Sequence, residues 1–502
     1  MKITNNKYIL IAIAIIFTMG SCSKDFLDVS PEGVYTDDNY YKTPAQAYAA
    51  LIAVYDPIRT NSGGFDNMIT LMNSGSDDHY AGGGSATDGA GVQGFSNYSI
   101  DGNTMPGSFW STPYQGILRA NILLGKLPSI PMSETDKIRY AAEAKGLRAY
   151  FYFNLVRMFG HVPLILEPLN ASDALNVPQA SADDVYAQIE KDLLEAIPVL
   201  PVTIPAAEAG RLSKGAVTAL LGKVYLYEKK YALSAEQLAL VNGVPGTTSP
   251  YGYKLLTKFS DLWVVSNKFN SESILEIAHS NKGGSSWNVW GQGVDEGNSV
   301  NVMVGPRSYS RPVASPAPNL PSGWSFNPIT QDLYDAIKTD PRFAATVLDM
   351  KALKAAGEAD YIPGYADTGY FTNKFIPTQA DVSTGSGDAV LNYQQDTYAI
   401  RLADTYLMEA EALGGTGVRA QALLDAVRAR VGLASIPVSQ DAIANERRLE
   451  LAGEGHRWFD LVRTGKAATK LASRGFKAGK NEIFPIPVRE LENTLIVQNP
   501  NY

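Results

Sequence analysis

Along the first half of the chain, apolar residues recur every three or four positions, with small residues set between large ones. That spacing predicts helices over 43–55, 114–127, 134–159, 181–196 and 213–227. The first opens with Thr43-Pro44, an N-cap followed by proline at the first helical position. The longest aligns Ala144, Leu147, Phe151, Leu155 and Met158 along one face. Ser181 caps the fourth, which carries Val185, Ile189, Leu193 and Leu194 on one side. In the fifth, Ala216, Leu220 and Val224 face inward beside the small Ala219 and Gly222. From about 241 to 395 the pattern breaks into Gly, Ser, Pro and Asn, and only short apolar pieces interrupt it. One of these, Ile274-Leu275-Glu276-Ile277, alternates as a strand does. Helical spacing resumes over 398–413, 419–431, 441–453 and 456–463, with Gly414-Gly415 and Gly432 as C-terminal caps. The expected fold is mostly α: tetratricopeptide-like helical repeats, without a strict repeat period, and a loop-rich insertion carrying short strands.

The N-terminus follows different rules. Lys2 and Lys7 precede an apolar run from Tyr8 to Phe17, and Met19-Gly20-Ser21 leads into Cys22. A basic segment, a short apolar core and small residues make a secretory leader over 1–21. The run is too short to span a bilayer, which takes about 20 apolar residues. Cys22 is the sole cysteine of the chain, so no disulfide within the chain is available. The segment resembles a bacterial lipoprotein signal, cleaved before Cys22, whose thiol is then acylated. Stable anchoring takes more than one acyl chain. Ser23-Lys24-Asp25 resembles the signal that sends lipoproteins to the outer face of the outer membrane.

Charge narrows the partners. The chain carries a formal −8, and loss of Lys2 and Lys7 with the leader lowers it to −10. An acidic body argues against nucleic acid and against peripheral binding to anionic lipid. Enzyme chemistry finds no foothold. The sequence has no H-E-x-x-H, no G-x-S-x-G, and no cysteine left once Cys22 is acylated. His79, His161, His279 and His456 do not fall at zinc spacing. Gly415-Thr416-Gly417 opens like a dinucleotide fingerprint, but Ala420 stands where the third glycine belongs. No catalytic residue, metal site or cofactor is therefore expected.

Recognition of sugars needs exposed aromatic faces for their C–H patches and polar groups for their hydroxyls. Two loop regions offer both. In 73–88, Asp77, Asp78, His79 and Tyr80 precede Gly82-Gly83-Gly84. In 283–326, Trp287, Trp290, Arg307, Tyr309 and Trp324 stand among Gly, Ser and Asn, and this stretch holds half of the six tryptophans. Tyr80 and Trp324 are singled out as a platform pair, with Asp78 as the hydrogen-bonding partner. Asp77 and Asp78 as a calcium site is the weaker alternative. The block from Asn445 to Arg463, NERRLELAGEGHRWFDLVR, carries opposite charges three and four residues apart. These are expected to brace the terminal helices, with Trp458 and Phe459 in the core.

That block is also the most specific part of a resemblance running through the whole mature chain. YQGILRAN (114–121), AEAKGLRAYFY (142–152), GHVPL (160–164), Asp340-Pro341-Arg342 and RLADTYLMEAEA (401–412) belong to it, as does the tail PIPVRELENTLIVQNPNY. Together they resemble the SusD/RagB-type lipoproteins of Bacteroidetes nutrient-import systems. The tail departs from the family at Asn493-Thr494, where Asn-Pro is common, and at Asn501, where Gly is common. The resemblance implies a helical region over 22–240, a ligand-carrying insertion over 241–395 and a C-terminal helical region over 396–502. It implies a non-catalytic lid that captures glycan, with an inclination toward laminarin-type β-glucan. The partner it implies is a SusC-like TonB-dependent transporter of the outer membrane, with the protein lipid-anchored and facing the exterior. The RagB branch implies peptide capture as the alternative, and a surface glycoside hydrolase is the remaining one.

Overall fold

The computed structural model describes residues 40–290 and 295–502, so the leader and Cys22 lie outside the described residues. Among the described residues, eight helices of seven residues or more fill the N-terminal half: α1 (Pro44–Gly63), α2 (Met68–Ser74), α3 (Ala90–Asn97), α4 (Ser108–Lys126), α5 (Glu134–Phe159), α6 (Ala182–Ala196), α7 (Lys214–Tyr227) and α8 (Tyr231–Asn242). The short α9 (Gln331–Ile337) lies in the middle. The set closes with α10 (Leu402–Ala412), α11 (Gly417–Arg430), α12 (Gln440–Glu450) and α13 (Arg457–Arg463). Successive neighbours pack pairwise, α1 on α4, α4 on α5, α5 on α6, α6 on α7 and α7 on α8. The array continues as α8 packs on α10 and α10 on α11, in the tetratricopeptide-like manner expected.

Local chemistry explains the boundaries. Thr43 and Gln46 cap α1 reciprocally: the Thr43 hydroxyl accepts from the Gln46 amide, and the Gln46 side chain accepts from the Thr43 amide. The sequence pattern stops this helix at 55, before Asp56-Pro57. In the structure it runs on to Gly63. Proline at 57 removes the donor that would serve the Ala53 carbonyl, and Arg119 Nη1 donates to that oxygen at 2.7 Å instead. Helix α4 likewise begins at Ser108, ahead of the expected 114. Close approach of α4 and α5 needs Gly116, where a Cβ would lie 2.2 Å from the Phe151 ring.

The expected helix over 398–413 divides. Thr397–Arg401 forms a strand antiparallel to Ser273–Ile277, with Glu276 opposite Tyr398 and Ile277 opposite Thr397, and α10 begins only at Leu402. A β-branched and aromatic segment beside an available partner strand takes the sheet pairing over the helix turn. Two further two-stranded pairs complete the β content of the described residues: Val162–Pro163 with Gln179–Ala180, and Val347–Asp349 with Tyr370–Thr372. The strand pairing ties the loop-rich segment onto the helical array. Among the described residues no helix is long and apolar enough to cross a membrane.

The charged C-terminal block is built into the frame, as its spacing suggested. Glu450 accepts from Arg342, Arg401 and Arg430, and Glu454 from Arg401 and Lys374. Arg447 bridges Asp404 and Asp460, and Trp458 stacks on Phe484 at 4.5 Å with no exposure. Burial would raise the Glu450 carboxyl, yet three guanidinium groups outweigh it and hold it well below its ordinary range. A net of this kind contributes little beyond an apolar replacement, but losing one member leaves a buried charge uncompensated.

Candidate functional site

The two loop regions marked by sequence meet. Tyr80 donates its amide to Pro328 O, Asn327 to Ala81 O and Gly83 to Ser325 O, over 2.8–3.0 Å. Isolated bridges pair His79 with Ile329 and Gly82 with Phe326. The glycines permit this. Gly82 sits at φ +70°, where a Cβ would lie 2.2 Å from the Ser325 carbonyl oxygen. Across the site, Ser285 exchanges hydrogen bonds with the Asn392 side chain, and the Trp287 amide donates to Asp388 at 3.0 Å.

Three tryptophans gather here. Trp287 and Trp290, one turn apart, meet edge to face at 5.4 Å. Trp324 closes the triangle, 5.9 Å from Trp287 with planes 30° apart and 5.8 Å from Trp290. Phe65 supports them, 5.6 Å from Trp290 and 6.5 Å from Trp324, and rests in turn on the buried Phe326. Trp287 keeps 51% of its surface exposed, whereas Trp290 and Trp324 are half-buried. Two indoles tilted 30° to each other, one open to solvent, form an aromatic surface that a flat apolar patch can lie against.

Arg307 stands beneath this surface. Its Nη2 donates to the Trp324 carbonyl at 3.1 Å and lies 3.5 Å from Asp88, which also accepts the Gly84 amide. Its buried Nε has no hydrogen-bond partner. Tyr309 turns away: its hydroxyl donates to Pro318 O, and its ring packs on an apolar cluster that includes Val300 and Phe371.

Residues 77–80 are placed differently from the expectation. Asp77 takes a two-pronged bond from Arg457 at 2.8 Å, and Asp78 accepts from Arg448 at 2.7 Å. Burial tends to raise Asp77, but Arg457 holds it low, while burial and the neighbouring charge of Asp77 push Asp78 up. Asp78 and His79 are each only 1% exposed, so neither lies on an open loop as the glycine-rich composition suggested. His79 Nε2 bonds Thr372 Oγ1, and burial pushes the imidazole down to about 3. Tyr80 is exposed, but its ring faces the Arg474 guanidinium 4.6 Å away, and no ring contact joins it to Trp324.

Sequence reading missed Phe65, Phe326 and Asp66. Asp66 follows Phe65 in the bend after α1, and burial raises its carboxyl to about 6 with no charged neighbour contributing. The signal was available: Gly63-Gly64-Phe65-Asp66 sets an aromatic and an acid beside two glycines, as the chosen loops do.

A helical-repeat scaffold presenting an aromatic loop surface is the class these features define. Residues 310–502 match the SusD family, and residues 25–226 match the family described as starch-binding associating with outer membrane. A laminarin-binding SusD-like protein of known structure is 64% identical, with a TM-score of 0.91 over 92% of this chain and 100% of that one. Surface glycan-binding protein A from Bacteroides thetaiotaomicron, solved with laminarihexaose, is 26% identical with a TM-score of 0.81, over 92% of this chain and 100% of that one. SusD-like protein P38 of Formosa agariphila is 28% identical over 99% of each chain. The chain belongs to the SusD/RagB family.

Proposed function

We propose that this protein is a surface glycan-binding protein that captures a laminarin-type β-glucan without cleaving it. The observation that carries the reading is the tryptophan surface, with Trp287 half open above Trp290 and Trp324. Stacking supplies affinity, and polar groups around the surface, Asp66, Arg307 and Asp388 among them, orient the sugar hydroxyls. Supporting the choice of glycan are the relative that binds laminarin and the one solved with laminarihexaose. The loop-rich stretch supplies Trp287, Trp290 and Trp324, while Phe65 and Asp66 come from the bend after the first helix. Capture would take place at the outer face of the outer membrane, on a lipid anchor at Cys22. The glycan would pass to a SusC-like TonB-dependent transporter, for which the helical array is the docking surface.

The test is affinity electrophoresis of the chain from Ser23 onward in gels containing β-1,3-glucan, starch, xylan, fructan or alginate. Retardation by β-1,3-glucan, and its loss on Trp287→Ala, is the expected result. Migration unaltered in every gel would overturn the glycan reading, and release of reducing ends would overturn the non-catalytic one.

A further inference from the structure

A groove of about 740 Å³ opens among the C-terminal helices. Its walls are the α7–α8 turn (Lys229, Tyr231), the end of α10 (Glu411, Ala412), the outer side of α12 and the segment from Arg457 to Lys470. The floor is already neutralised. Arg447 and Arg463 share Asp460, Arg463 also holds Glu411, Arg448 holds Asp78 and Asp332, and Arg457 holds Asp77. The rim is not. Lys229, Lys466 and Lys470 are all exposed and take part in no ion pair among the described residues, and one acid unpaired among them, Asp441, stands against the three. Lys466 and Lys470 flank one helical turn, the Lys470 amide donating to the Lys466 carbonyl at 3.0 Å, so both ammonium groups lie on the same side. Lys229 holds φ +62°, a left-handed conformation that costs a lysine about 1 kcal/mol more than it costs glycine.

Three free ammonium groups around one concavity are unexpected on a chain of net charge −8, whose overall field repels anions. Between them lie Ala412 and the half-exposed Tyr231, over the buried Leu226 and Leu461, so the groove offers an apolar contact beneath a cationic rim. Among the described residues Tyr231 alone lines it with an aromatic ring, which is poor provision for stacking a sugar chain. From this arrangement we propose that the groove docks an acidic, partly apolar segment of a partner protein. The partner's carboxylates pair with Lys229, Lys466 and Lys470, and its apolar residues lie against the wall. Arg448 and Arg457 connect the groove floor to Asp78 and Asp77, immediately before Tyr80 and the glycine turn, so an occupant there sits one ion pair away from the loops of the aromatic surface.

Fluorescence anisotropy with a labelled peptide of alternating glutamate and leucine tests this on the chain from Ser23 onward. Saturable binding at low salt, weakening as salt rises, is expected. The triple variant Lys229→Glu/Lys466→Glu/Lys470→Glu should lose about tenfold or more, since each exposed pair contributes a few-fold. The neutral Lys→Gln triple should fall between. Charge reversal at Lys191, Lys254 and Lys477, exposed elsewhere, should leave binding unaltered, and all variants should keep the wild-type melting temperature and glucan retention. Absence of peptide binding to wild type, or equal loss in both reversal triples, would overturn the proposal. So would capture of an anionic polysaccharide such as alginate in place of the peptide.

Discussion

At the scale of single residues, exposure separates the side chains that can meet a ligand from those that hold the frame. Trp287 is half open to solvent and braced by the rings of Trp290 and Trp324, so Trp287→Ala should leave stability within about 0.5 kcal/mol of wild type. Its effect should fall on binding, where loss of an aromatic anchor costs about 2 kcal/mol, roughly thirtyfold in retention of β-1,3-glucan. Quantitative affinity electrophoresis beside a thermal melt reads both. Asp78 should behave in the opposite way. Its carboxylate lies buried against Arg448, so Asp78→Ala leaves that guanidinium only the exposed Asp332 as a partner and should cost about 2–3 kcal/mol in urea unfolding. Glucan affinity of the folded fraction should be kept. If Asp78→Ala instead abolished binding at full stability, the assignment of Asp78 to the frame would fail.

At the scale of elements, local sequence explains starts and caps, and contact explains lengths and departures. Helix α1 keeps going past Pro57 because Arg119, on α4, supplies the missing donor. The start of the helix expected over 398–413 becomes a strand because Ser273–Ile277 lies ready to pair with it. Neither partner can be seen from the segment itself. Helix α8, over Tyr231–Asn242, was not read from the sequence, although its Leu238 and Val241 are fully buried. Where α4 and α5 meet, Gly116 lets the Phe151 ring lie against the backbone. Gly116→Ala should therefore overpack that contact and cost about 1–3 kcal/mol, although alanine has the higher helix propensity. A gain in melting temperature would show that the two helices separate more easily than their packing indicates.

At the scale of the whole molecule, buried charge makes the fold sensitive to acid. Glu450, Glu454, Asp404 and Asp460 are all held below their ordinary values, because their cationic partners outweigh burial. Each adds stability that is complete above the unfolded carboxylate value, near 4, and drains away as the pH falls further. His79 and His279, pushed down to about 3 by burial, add in the same direction. Their share is complete above about pH 6.5, the unfolded imidazole value, and is lost as the pH drops toward 3. Glu276, raised by burial to about 7, works the other way: its share is complete below the unfolded value and is lost as the pH rises through 7. Urea midpoints should thus change little between pH 8 and 6, where these trends oppose one another, and fall steeply below 5. A midpoint still unaltered at pH 3.5 would contradict the buried net.

The sequence by itself determined what depends on spacing and on neighbours along the chain. That includes the amphipathic helices, their Ser and Thr caps, the strand at Ile274-Leu275-Glu276-Ile277 and the bracing role of the block from Asn445 to Arg463. The loop region that holds the three tryptophans was also legible, since Gly, Ser and Asn around indoles are unusual in a core. Which aromatic residues share a surface was decided only by tertiary structure. Trp287 and Trp324 are 37 positions apart in the chain, and Trp324 meets Phe65 from the bend after α1, a convergence set by packing of distant segments. The same holds for Asp77 and Asp78. Two acids before three glycines look solvent-exposed in one dimension, and only the fold brings Arg448 and Arg457, some 370 residues later, over them. Periodicity reports which side of an element is buried, but charge pairing across hundreds of residues leaves no local pattern to read.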